Sequence, residues 1–563
     1  MRRTPEARPW VATKRKWPQT TGVRIRILFS TLILAIATAS SQETIFRTTT
    51  RLIQVNVVVL DKKSKPVLDL KKEDFTLLDK GKPQTISAFS MEQKRTGKPM
   101  PKLQPGFYTN LTNAGGSTPN LTVILIDSLN TQWGDQSVAR QHIIKFLEQI
   151  KPEDRVALMI LGRQLRVLHS FTDDRESLLK AVKKWHGRDE VGGVGGDTET
   201  VDLGLNDIFG GGGNEMEQDM RQSRRIIDSL AAMESVGNYL AGSPGRKNLI
   251  WVSGGFPLTV GFDQLKSPQV FTSASQRGTP SVRPPQPGMG PGPIRDQRTF
   301  TDEVDKTMKV LNNANIAVYP VDARGLTIDT NAHENIGTMQ EFASRTGGRA
   351  FYNRNDIDTA IRQVMEETEV TYTLAFYPTG DKSDGQFHDL KVKVNRPGMT
   401  VRNRKGWVAS KPEDNERSRE RQLAYAAHSP LEATALGIVA KVTKKDDSNL
   451  FVQLVVDPNG VNLEVEKDKD GKDRYKGRVD ILWLQRDKSG ADFASIQDVV
   501  DLNLLKETYD KMRRGGLIYN KQIALSPKAE FIRIVVRDAT STLSGSVTAK
   551  WDIPEATPGK KRP

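Results

Sequence analysis

The stretch that decides the fold is Leu121-Thr-Val-Ile-Leu-Ile-Asp-Ser-Leu-Asn-Thr131, an apolar run that ends in a polar cluster. Apolar side chains at consecutive positions, with no alternation, are typical of a β-strand that is buried on both faces. Such strands belong to parallel sheets that are covered by helices. The polar residues that follow would then lie at the carboxyl end of the strand, where open parallel sheets bind their ligands.

Strand and helix patterns alternate downstream of this run. A helix is predicted over residues 135–150, a strand over 156–161 and a helix over 178–185, and buried strands recur at 248–252 and 316–321. This order predicts parallel pairing with right-handed crossovers, and therefore a three-layer, Rossmann-like α/β domain with a mostly parallel sheet. We extend that domain over residues 120–408, with Val370–Tyr377 and Leu390–Val394 as an antiparallel pair at the edge of its sheet.

The flanking segments are rich in short β-branched runs separated by polar turns, which predicts β structure on both sides of the α/β domain. A Pro/Gly/Ser/Gln-rich insertion within the domain is predicted to be disordered. The predicted organisation is a signal peptide (1–41), a small β-sandwich-like module (43–95), a linker (96–119), the α/β domain (120–408) with its disordered insertion (257–298), a charged linker (409–428), a β-rich C-terminal domain (429–555) and a tail (556–563).

Composition excludes several classes of protein. The 563 residues contain no cysteine and six histidines, so disulfide frameworks, thiolate zinc sites and cysteine nucleophiles are ruled out. The net charge is +15, but residues 1–39 hold eight Lys/Arg against one acid, which leaves an ordinary balance for the rest. The basic character therefore does not indicate nucleic-acid binding. Apolar residues make up 37%, which suits packed soluble domains and not a polytopic membrane protein.

The amino terminus has the pattern of an export signal. Basic residues end at Arg26, an apolar run of 13 residues spans 27–39, and small residues around Ala39 form an A-x-A-like cleavage site. This predicts an extracytoplasmic location in the periplasm, the cell envelope or the medium. The alternative is an uncleaved signal-anchor, and no other membrane span is expected.

The polar cluster after the first buried strand is the candidate site. Asp127, Asn130 and Thr131 place one carboxylate, one amide and one hydroxyl beside a predicted helix start. Oxygen ligands of this kind suit Mg²⁺. The alternative is that Asp127 and Thr131 cap the helix and satisfy backbone donors.

Three segments together resemble a von Willebrand factor type A (VWA) domain. They are Leu125-Ile-Asp-Ser-Leu-Asn-Thr131, Asn248-Leu-Ile-Trp-Val-Ser-Gly-Gly255 and Ala317-Val-Tyr-Pro-Val-Asp-Ala-Arg-Gly325. More narrowly, residues 45–408 resemble exported VWFA-related proteins of the acidobacterial type. The resemblance implies a binding domain with a metal-ion-dependent adhesion site, made of an Asp-x-Ser-x-Ser loop, a threonine and an aspartate in a third loop.

Only part of that motif is present in this sequence. Asp127 matches the first ligand and Thr131 the last, whereas Leu129 stands in the middle serine position and Gly254 in the place of the third-loop aspartate. Thr198 or Thr200 would supply the second loop. The resemblance thus implies a degenerate site, with Asn130 as a compensating ligand.

The sequence therefore predicts a non-enzymatic, exported VWA-type module that binds an unidentified extracytoplasmic protein, with Mg²⁺ as the candidate metal. The alternative is a metal-independent structural or envelope-scaffold protein. An enzyme is disfavoured because the sequence contains no G-x-S-x-G, P-loop or strand-linked G-x-G-x-x-G motif.

Overall fold

The computed structural model describes residues 52–93, 103–111, 121–185, 212–260, 298–326, 332–378, 387–408 and 415–551. The predicted signal peptide, the C-terminal tail, residues 261–297 of the insertion, and Thr198 and Thr200 lie outside the described residues. The start of the insertion does contain regular structure, because a short antiparallel pair joins residues 259–260 to residues 298–299.

The described elements follow in chain order. Ahead of the α/β domain lie β1 (Ile53–Leu60), β2 (Phe75–Asp79), β3 (Lys82–Gln84), β4 (Ile86–Gln93) and β5 (Phe107–Thr109). The α/β domain contains β6 (Leu121–Asp127), α1 (Trp133–Leu147), β7 (Arg155–Leu161), β8 (Leu165–Thr172), α2 (Arg175–Lys184), α3 (Gly212–Leu240), β9 (Lys247–Ser253), β10 (Thr259–Val260), β11 (Arg298–Thr299), α4 (Thr301–Asn313), β12 (Ile316–Asp322), α5 (Ala332–Thr346) and α6 (Ile357–Glu367).

The remaining elements are mainly strands. They are β13 (Val370–Phe376), β14 (Phe387–Val394), β15 (Thr400–Asn403), β16 (Gly406–Val408), α7 (Glu416–His428), β17 (Ile438–Asp446), β18 (Asn449–Val456), β19 (Glu464–Lys467), β20 (Asp473–Arg486), β21 (Asp492–Leu505), α8 (Lys506–Gly515), β22 (Leu517–Ala524), β23 (Phe531–Asp538) and β24 (Ser544–Ala549).

The sheet of the α/β domain has the strand order β12-β9-β6-β7-β8. All neighbours are parallel except β8, which is antiparallel to β7. The chain winds outward from β6 in both directions, so the switch point of the sheet lies between β6 and β9. Helices α1, α2 and α6 pack on one face and α3, α4 and α5 on the other, which gives the three layers that the sequence predicts.

Strand β6 shows why a continuous apolar run was needed. Val123 and Leu125 pack into the core on the side of α3, whereas Ile124 and Ile126 pack into the core beneath α1. These four side chains are at most 2% exposed. Burying one such side chain stabilises the fold by roughly 1.5–3 kcal/mol, so both faces of the strand favour the central position.

Strand β8 was not predicted from the sequence. It follows β7 through a short turn and forms the antiparallel edge of the sheet. Apart from Leu165 its residues are partly buried or exposed, because only one neighbouring strand covers an edge strand. An edge strand with so few buried side chains carries a weak hydrophobic signal.

The predicted domain boundaries need one correction. β13 pairs with β1 and β4, and β14 pairs with β2, so residues 370–408 do not form the edge of the α/β sheet. They complete the N-terminal β-sandwich, whose sheets have the orders β15-β1-β13-β4 and β16-β14-β2-β3. The α/β domain therefore ends near Glu369 and is inserted between two halves of one sandwich. Local sequence patterns predict strands, but not which distant strand each one pairs with.

A second correction concerns the two predicted linkers. β5, within the predicted linker 96–119, pairs with β17 and joins the sheet β22-β18-β17-β5 of the C-terminal domain. Helix α7, within the predicted charged linker 409–428, packs on the opposite sheet through Leu423 and Ala427. The C-terminal domain is therefore a second β-sandwich that takes one strand from before the α/β domain. No helix in the described part of the chain is long and apolar enough to cross a membrane.

Candidate functional site

The candidate site lies at the carboxyl edge of the α/β sheet, at its switch point. Asp127 is the last residue of β6 and Ser253 is the last residue of β9. The two strands are parallel, with Ile126 opposite Val252, so the two polar residues emerge side by side. Ser253 Oγ donates a hydrogen bond of 2.7 Å to Asp127 Oδ2.

The Asp127 carboxylate is completely enclosed, with 0% of the residue exposed. Its Oδ1 accepts from the backbone N–H groups of Leu129 and Asn130, each at 3.1 Å. Its Oδ2 accepts from the indole Nε1 of Trp251 at 3.0 Å and from Ser253. The amide Nδ2 of Asn130 lies across both oxygens, at 3.1 and 2.9 Å. A carboxylate offers about four lone-pair positions, so these donors saturate it.

Two opposing effects act on the pKa of Asp127. Burial away from water raises the pKa, and the donors from Asn130, Ser253 and Trp251 act in the opposite direction. Burial is the larger effect, so the pKa of this carboxyl group lies above its usual value. Ionised Asp127 is thus held entirely by hydrogen bonds from the protein, with no contribution from solvent.

Asn130 has a second contact that fixes its orientation. Its Nδ2 also donates to Ser229 Oγ of α3 at 2.7 Å. The amide nitrogen, and not the amide oxygen, therefore faces the carboxylate. Turned over, the amide would place its oxygen against Asp127, an arrangement that would need a cation between the two groups. In the observed orientation Asn130 faces the carboxylate as a donor, and its amide oxygen does not share a cation with Asp127.

Thr131 joins the first loop to the third. The residue is 3% exposed, and its Oγ1 accepts from the backbone N–H of Gly254 at 2.9 Å. Gln136 of α1 holds the same loop from below, because its Nε2 donates to the carbonyl oxygens of Ser128 and Thr131 at 3.1 and 2.8 Å. Thr131 and Asp127 are therefore brought close together, but each is already committed to a protein partner.

The two positions where the adhesion motif is absent have structural roles of their own. Leu129 is 5% exposed and packs into the core beside α3. A Cβ atom at Gly254 would lie 2.5 Å from the backbone oxygen of Asn130. The third loop thus approaches the first so closely that an aspartate at position 254 would not fit without a shift of the backbone.

The residues at this edge do not fit a divalent cation. Mg²⁺ needs oxygen ligands with free lone pairs, whereas the groups around Asp127 are N–H and O–H donors that occupy its oxygens. Among the described residues, no group of three or more His, Cys, Asp or Glu side chains could hold a metal ion. The metal role predicted for Asp127, Asn130 and Thr131 has no support in this geometry, and metal titration remains its test.

A second acidic position at the same edge was not singled out from the sequence. Asp322, the last residue of β12, is fully buried and bound by the Arg324 guanidinium, with Nε to Oδ1 at 2.9 Å and Nη2 to Oδ2 at 2.8 Å. The carboxylate of Asp322 also acts on Asp135 in the first turn of α1, where burial first and Asp322 second raise the pKa of Asp135. The position of Asp322 at the end of a predicted buried strand was the available signal.

Two large apolar side chains project from this edge. Trp133, the first residue of α1, is 56% exposed, and Leu326, after β12, is 67% exposed. The backbone N–H of Leu326 donates to Asn355 Oδ1 at 2.9 Å, which anchors its loop. Asp322 at the end of β12 lies within electrostatic range of Asp135 in the first turn of α1. We refer to Trp133 and Leu326, with the loops that carry them, as the apolar rim.

Trp251, Ser253 and Ser229 are site residues that sequence reasoning missed. Trp251 lies inside an apolar run and has the pattern of a core residue, and it does pack against Phe256 and Phe342 with ring centroids 5.4 and 5.6 Å away. The polar role of its indole nitrogen depends on a carboxylate 124 positions earlier in the chain. No local pattern contains that information.

Comparison with known proteins gives structural similarity alone, because no family model and no curated protein matches this sequence. The solved structures similar to this chain include several that are described as VWA domains. The von Willebrand factor type A protein from Catenulispora acidiphila is 10% identical, with 61% of this chain and 79% of that chain covered and a TM-score of 0.24. The SpRpn10 VWA domain is 12% identical over 43% of this chain and 94% of that chain, with a TM-score of 0.20.

A third similar structure is proximal thread matrix protein 1 from the mussel byssus, which has a zinc-occupied MIDAS motif. It is 8% identical, covers 45% of this chain and 46% of that chain, and has a TM-score of 0.21. Scores and identities this low carry no argument about function. The fold assignment rests on the strand order of the central sheet, and the acidobacterial type remains a prediction.

Proposed function

We propose that this protein is a VWA-type protein-interaction module that contacts its partner through the apolar rim without a metal ion. The observation that carries the proposal is the saturated Asp127 carboxylate. Its oxygens accept from Asn130, Trp251 and Ser253 at 2.7–3.1 Å, so the position that would bind a cation is occupied by donors of the protein itself. The same donors join the first and third loops into one rigid edge.

The apolar rim supplies the contact surface in this proposal. Single exposed apolar residues are common on protein surfaces, but an exposed tryptophan is the side chain most enriched at the centres of interfaces. Trp133 stands directly after the loop that Asp127 organises, and Leu326 stands on the loop after β12, two strands away in the same sheet. Loops on a rigid scaffold are also where binding residues concentrate. The proposed partner is therefore a protein with an apolar pocket for an indole ring.

An extracytoplasmic partner belongs to the same proposal. Its support is the basic-apolar-small pattern of residues 1–41. Mass measurement of the mature amino terminus tests it. Removal of about 40 residues would support export with cleavage, and an intact Met1 in the envelope fraction would support a signal-anchor.

The binding proposal is tested by capture from envelope extracts with the purified full-length protein as bait. The wild type is compared with Trp133→Ala/Leu326→Ala and with Val465→Ala, which removes an apolar side chain of similar exposure, 57%, in the C-terminal domain. We expect wild type and Val465→Ala to capture the same partner in equal amounts. The Trp133→Ala/Leu326→Ala variant should capture at least tenfold less of it. Equal capture by all three proteins would contradict the proposal.

The metal-independent part needs a separate arm of the experiment. Capture is repeated with a chelator, and calorimetry with Mg²⁺ or Mn²⁺ is run on wild type and Asp127→Ala. We expect no loss of capture and no binding heat in either protein. Heat that is present in the wild type and absent in Asp127→Ala would establish the metal-dependent alternative.

A metal-independent structural or envelope-scaffold role is the second candidate. The interleaved chain path favours it, because β1 pairs with β13 across the α/β domain and β5 pairs with β17. Such crossings restrain the movement of each domain against the others. A capture experiment that retains no partner in any condition, with the protein abundant in the envelope fraction, would favour this role.

A further inference from the structure

A small cavity lies where the N-terminal sandwich meets the α/β domain. Its volume is about 10 Å³, which is room for roughly one water-sized sphere. The sandwich contributes Gln54, Asn56 and Arg404, and the α/β domain contributes Arg246, Asn312 and Asn315. Thr346, Ile316 and Ala317 complete the lining, which thus contains two guanidinium groups and no carboxylate.

Arg246 reaches this cavity from the turn before β9. The residue is 4% exposed, and its Nη2 donates to Tyr319 OH at 3.0 Å and to the backbone oxygen of Gly347 at 2.6 Å. Its Nε is shielded from solvent and has no hydrogen-bond partner within the described part of the protein. The guanidinium is therefore held by neutral oxygens.

Arg404 approaches from the sandwich. Its Nη2 donates to the backbone oxygen of Gln54 at 2.7 Å, and its Nε is again shielded and without a partner in the described ranges. Burial lowers the pKa of Arg404 to about 10, so the group keeps its charge at neutral pH. Gly347, whose backbone oxygen binds Arg246, allows the backbone at Arg404 to come close, because a Cβ atom at position 347 would lie 2.6 Å from the Arg404 backbone nitrogen.

Two other arginines of this region do have a carboxylate partner. Arg349 and Arg402 both reach the buried Glu367 carboxylate, at 2.9 and 3.4 Å. In contrast, no carboxylate among the described residues lies within ion-pair distance of Arg246 or Arg404. A charge that is shielded from solvent and has no counter-charge is unfavourable.

We propose that this junction cavity binds a small monatomic anion, of which chloride is the common example, between Arg246 and Arg404. The anion neutralises both guanidinium groups, and the amide side chains around it complete a polar shell. The cavity has room for about one water-sized sphere, and a halide is the anion closest to that size. Because the arginines come from different domains, the bound anion fastens the α/β domain to the sandwich.

The test is thermal unfolding of the full-length protein as chloride replaces gluconate at constant ionic strength. Wild type is compared with Arg246→Met/Arg404→Met and with Arg163→Met, which removes a charge from the exposed turn between β7 and β8. We expect the melting temperature of wild type and of Arg163→Met to rise by about 2–4 °C across the titration, and that of the double variant to stay constant.

Two results would overturn the proposal. One is a wild-type melting temperature that does not change with chloride concentration, and the other is an equal rise of the melting temperature in the double variant. If the double variant does not fold, wild-type crystals soaked in bromide decide the question. An anomalous peak between Arg246 and Arg404 supports the anion site, and its absence from the cavity refutes it.

Discussion

The Asp127 environment shows how one buried carboxylate can organise the edge of a sheet without a metal. Donors from the backbone, from Asn130, from Trp251 and from Ser253 all converge on its two oxygens. Removal of the carboxylate would take the acceptor from the backbone N–H of Asn130, the Trp251 indole N–H and the Ser253 hydroxyl, all in a buried site. The carboxylate thus joins the ends of β6 and β9 through hydrogen bonds, and Asn130 links it to Ser229 of α3.

At the scale of this residue, we expect Asp127→Asn to lower the free energy of unfolding by about 1–3 kcal/mol. The new amide must direct its own N–H₂ at one set of donors, which leaves at least one of them buried and unpaired. Urea denaturation of both proteins measures the change. If the free energy of unfolding falls by less than a typical surface substitution causes, the hydrogen-bond donors around position 127 can rearrange to satisfy the amide.

Asp135 leads to a prediction about pH. Burial and the nearby Asp322 raise its pKa, so its ionised form is disfavoured in the folded protein. A raised carboxyl pKa contributes stability below the unfolded pKa, and this contribution is lost as the pH rises through the folded pKa. We therefore expect Asp135→Asn to be more stable than wild type at neutral pH, and the difference to vanish below the usual carboxyl pKa. Thermal unfolding of both proteins across the acid range measures this, and an advantage that persists in acid would contradict it.

At the scale of elements, the close approach of the loops after β6 and β9 sets the shape of the site. Gly254 provides it, because any side chain there meets the Asn130 backbone oxygen at 2.5 Å. Gly134, in the first turn of α1, has no atom near the position of an added Cβ and is exposed. The two glycines therefore form a matched pair.

We expect Gly254→Ala to destabilise the protein by more than about 1 kcal/mol, because the two loops must separate. Gly134→Ala should instead leave stability unchanged or raise it by up to about 1 kcal/mol, because alanine favours the helix. Denaturant midpoints of the two variants against wild type provide the measurement. Equal changes in stability for the two variants would mean that the two loops can move apart at little cost.

At the scale of the whole molecule, the α/β domain interrupts one sandwich. Gln93 at the end of β4 lies opposite Val370 at the start of β13, in antiparallel register. The two ends of the insertion therefore meet where a β-hairpin turn would fit. The core of the sandwich combines residues from both halves, including Val55, Val57, Tyr372 and Leu374.

We expect a chain in which residues 94–369 are replaced by an Asn-Gly turn to fold as an independent sandwich, since that dipeptide favours a two-residue hairpin. Residues 52–93 alone should remain unfolded, because β1 then lacks its partner β13. Circular dichroism and dispersed amide NMR signals distinguish the two outcomes. A disordered hairpin chain would show that the sandwich needs contacts with the α/β domain.

The amino-acid sequence alone predicted the α/β class of the central domain, which the structure has, and singled out the candidate site. Consecutive apolar residues in β6, and helical periodicity after it, are local signals, and a buried parallel strand with Asp127 at its carboxyl end follows from them. The tertiary structure decided what Asp127 contacts, which strands complete the sandwich and which two arginines line one cavity without a carboxylate. Trp251 is 124 positions from Asp127, and Arg404 is 350 positions from Gln54. Contacts over such separations depend on how the whole chain packs, and a local pattern carries no record of the partner.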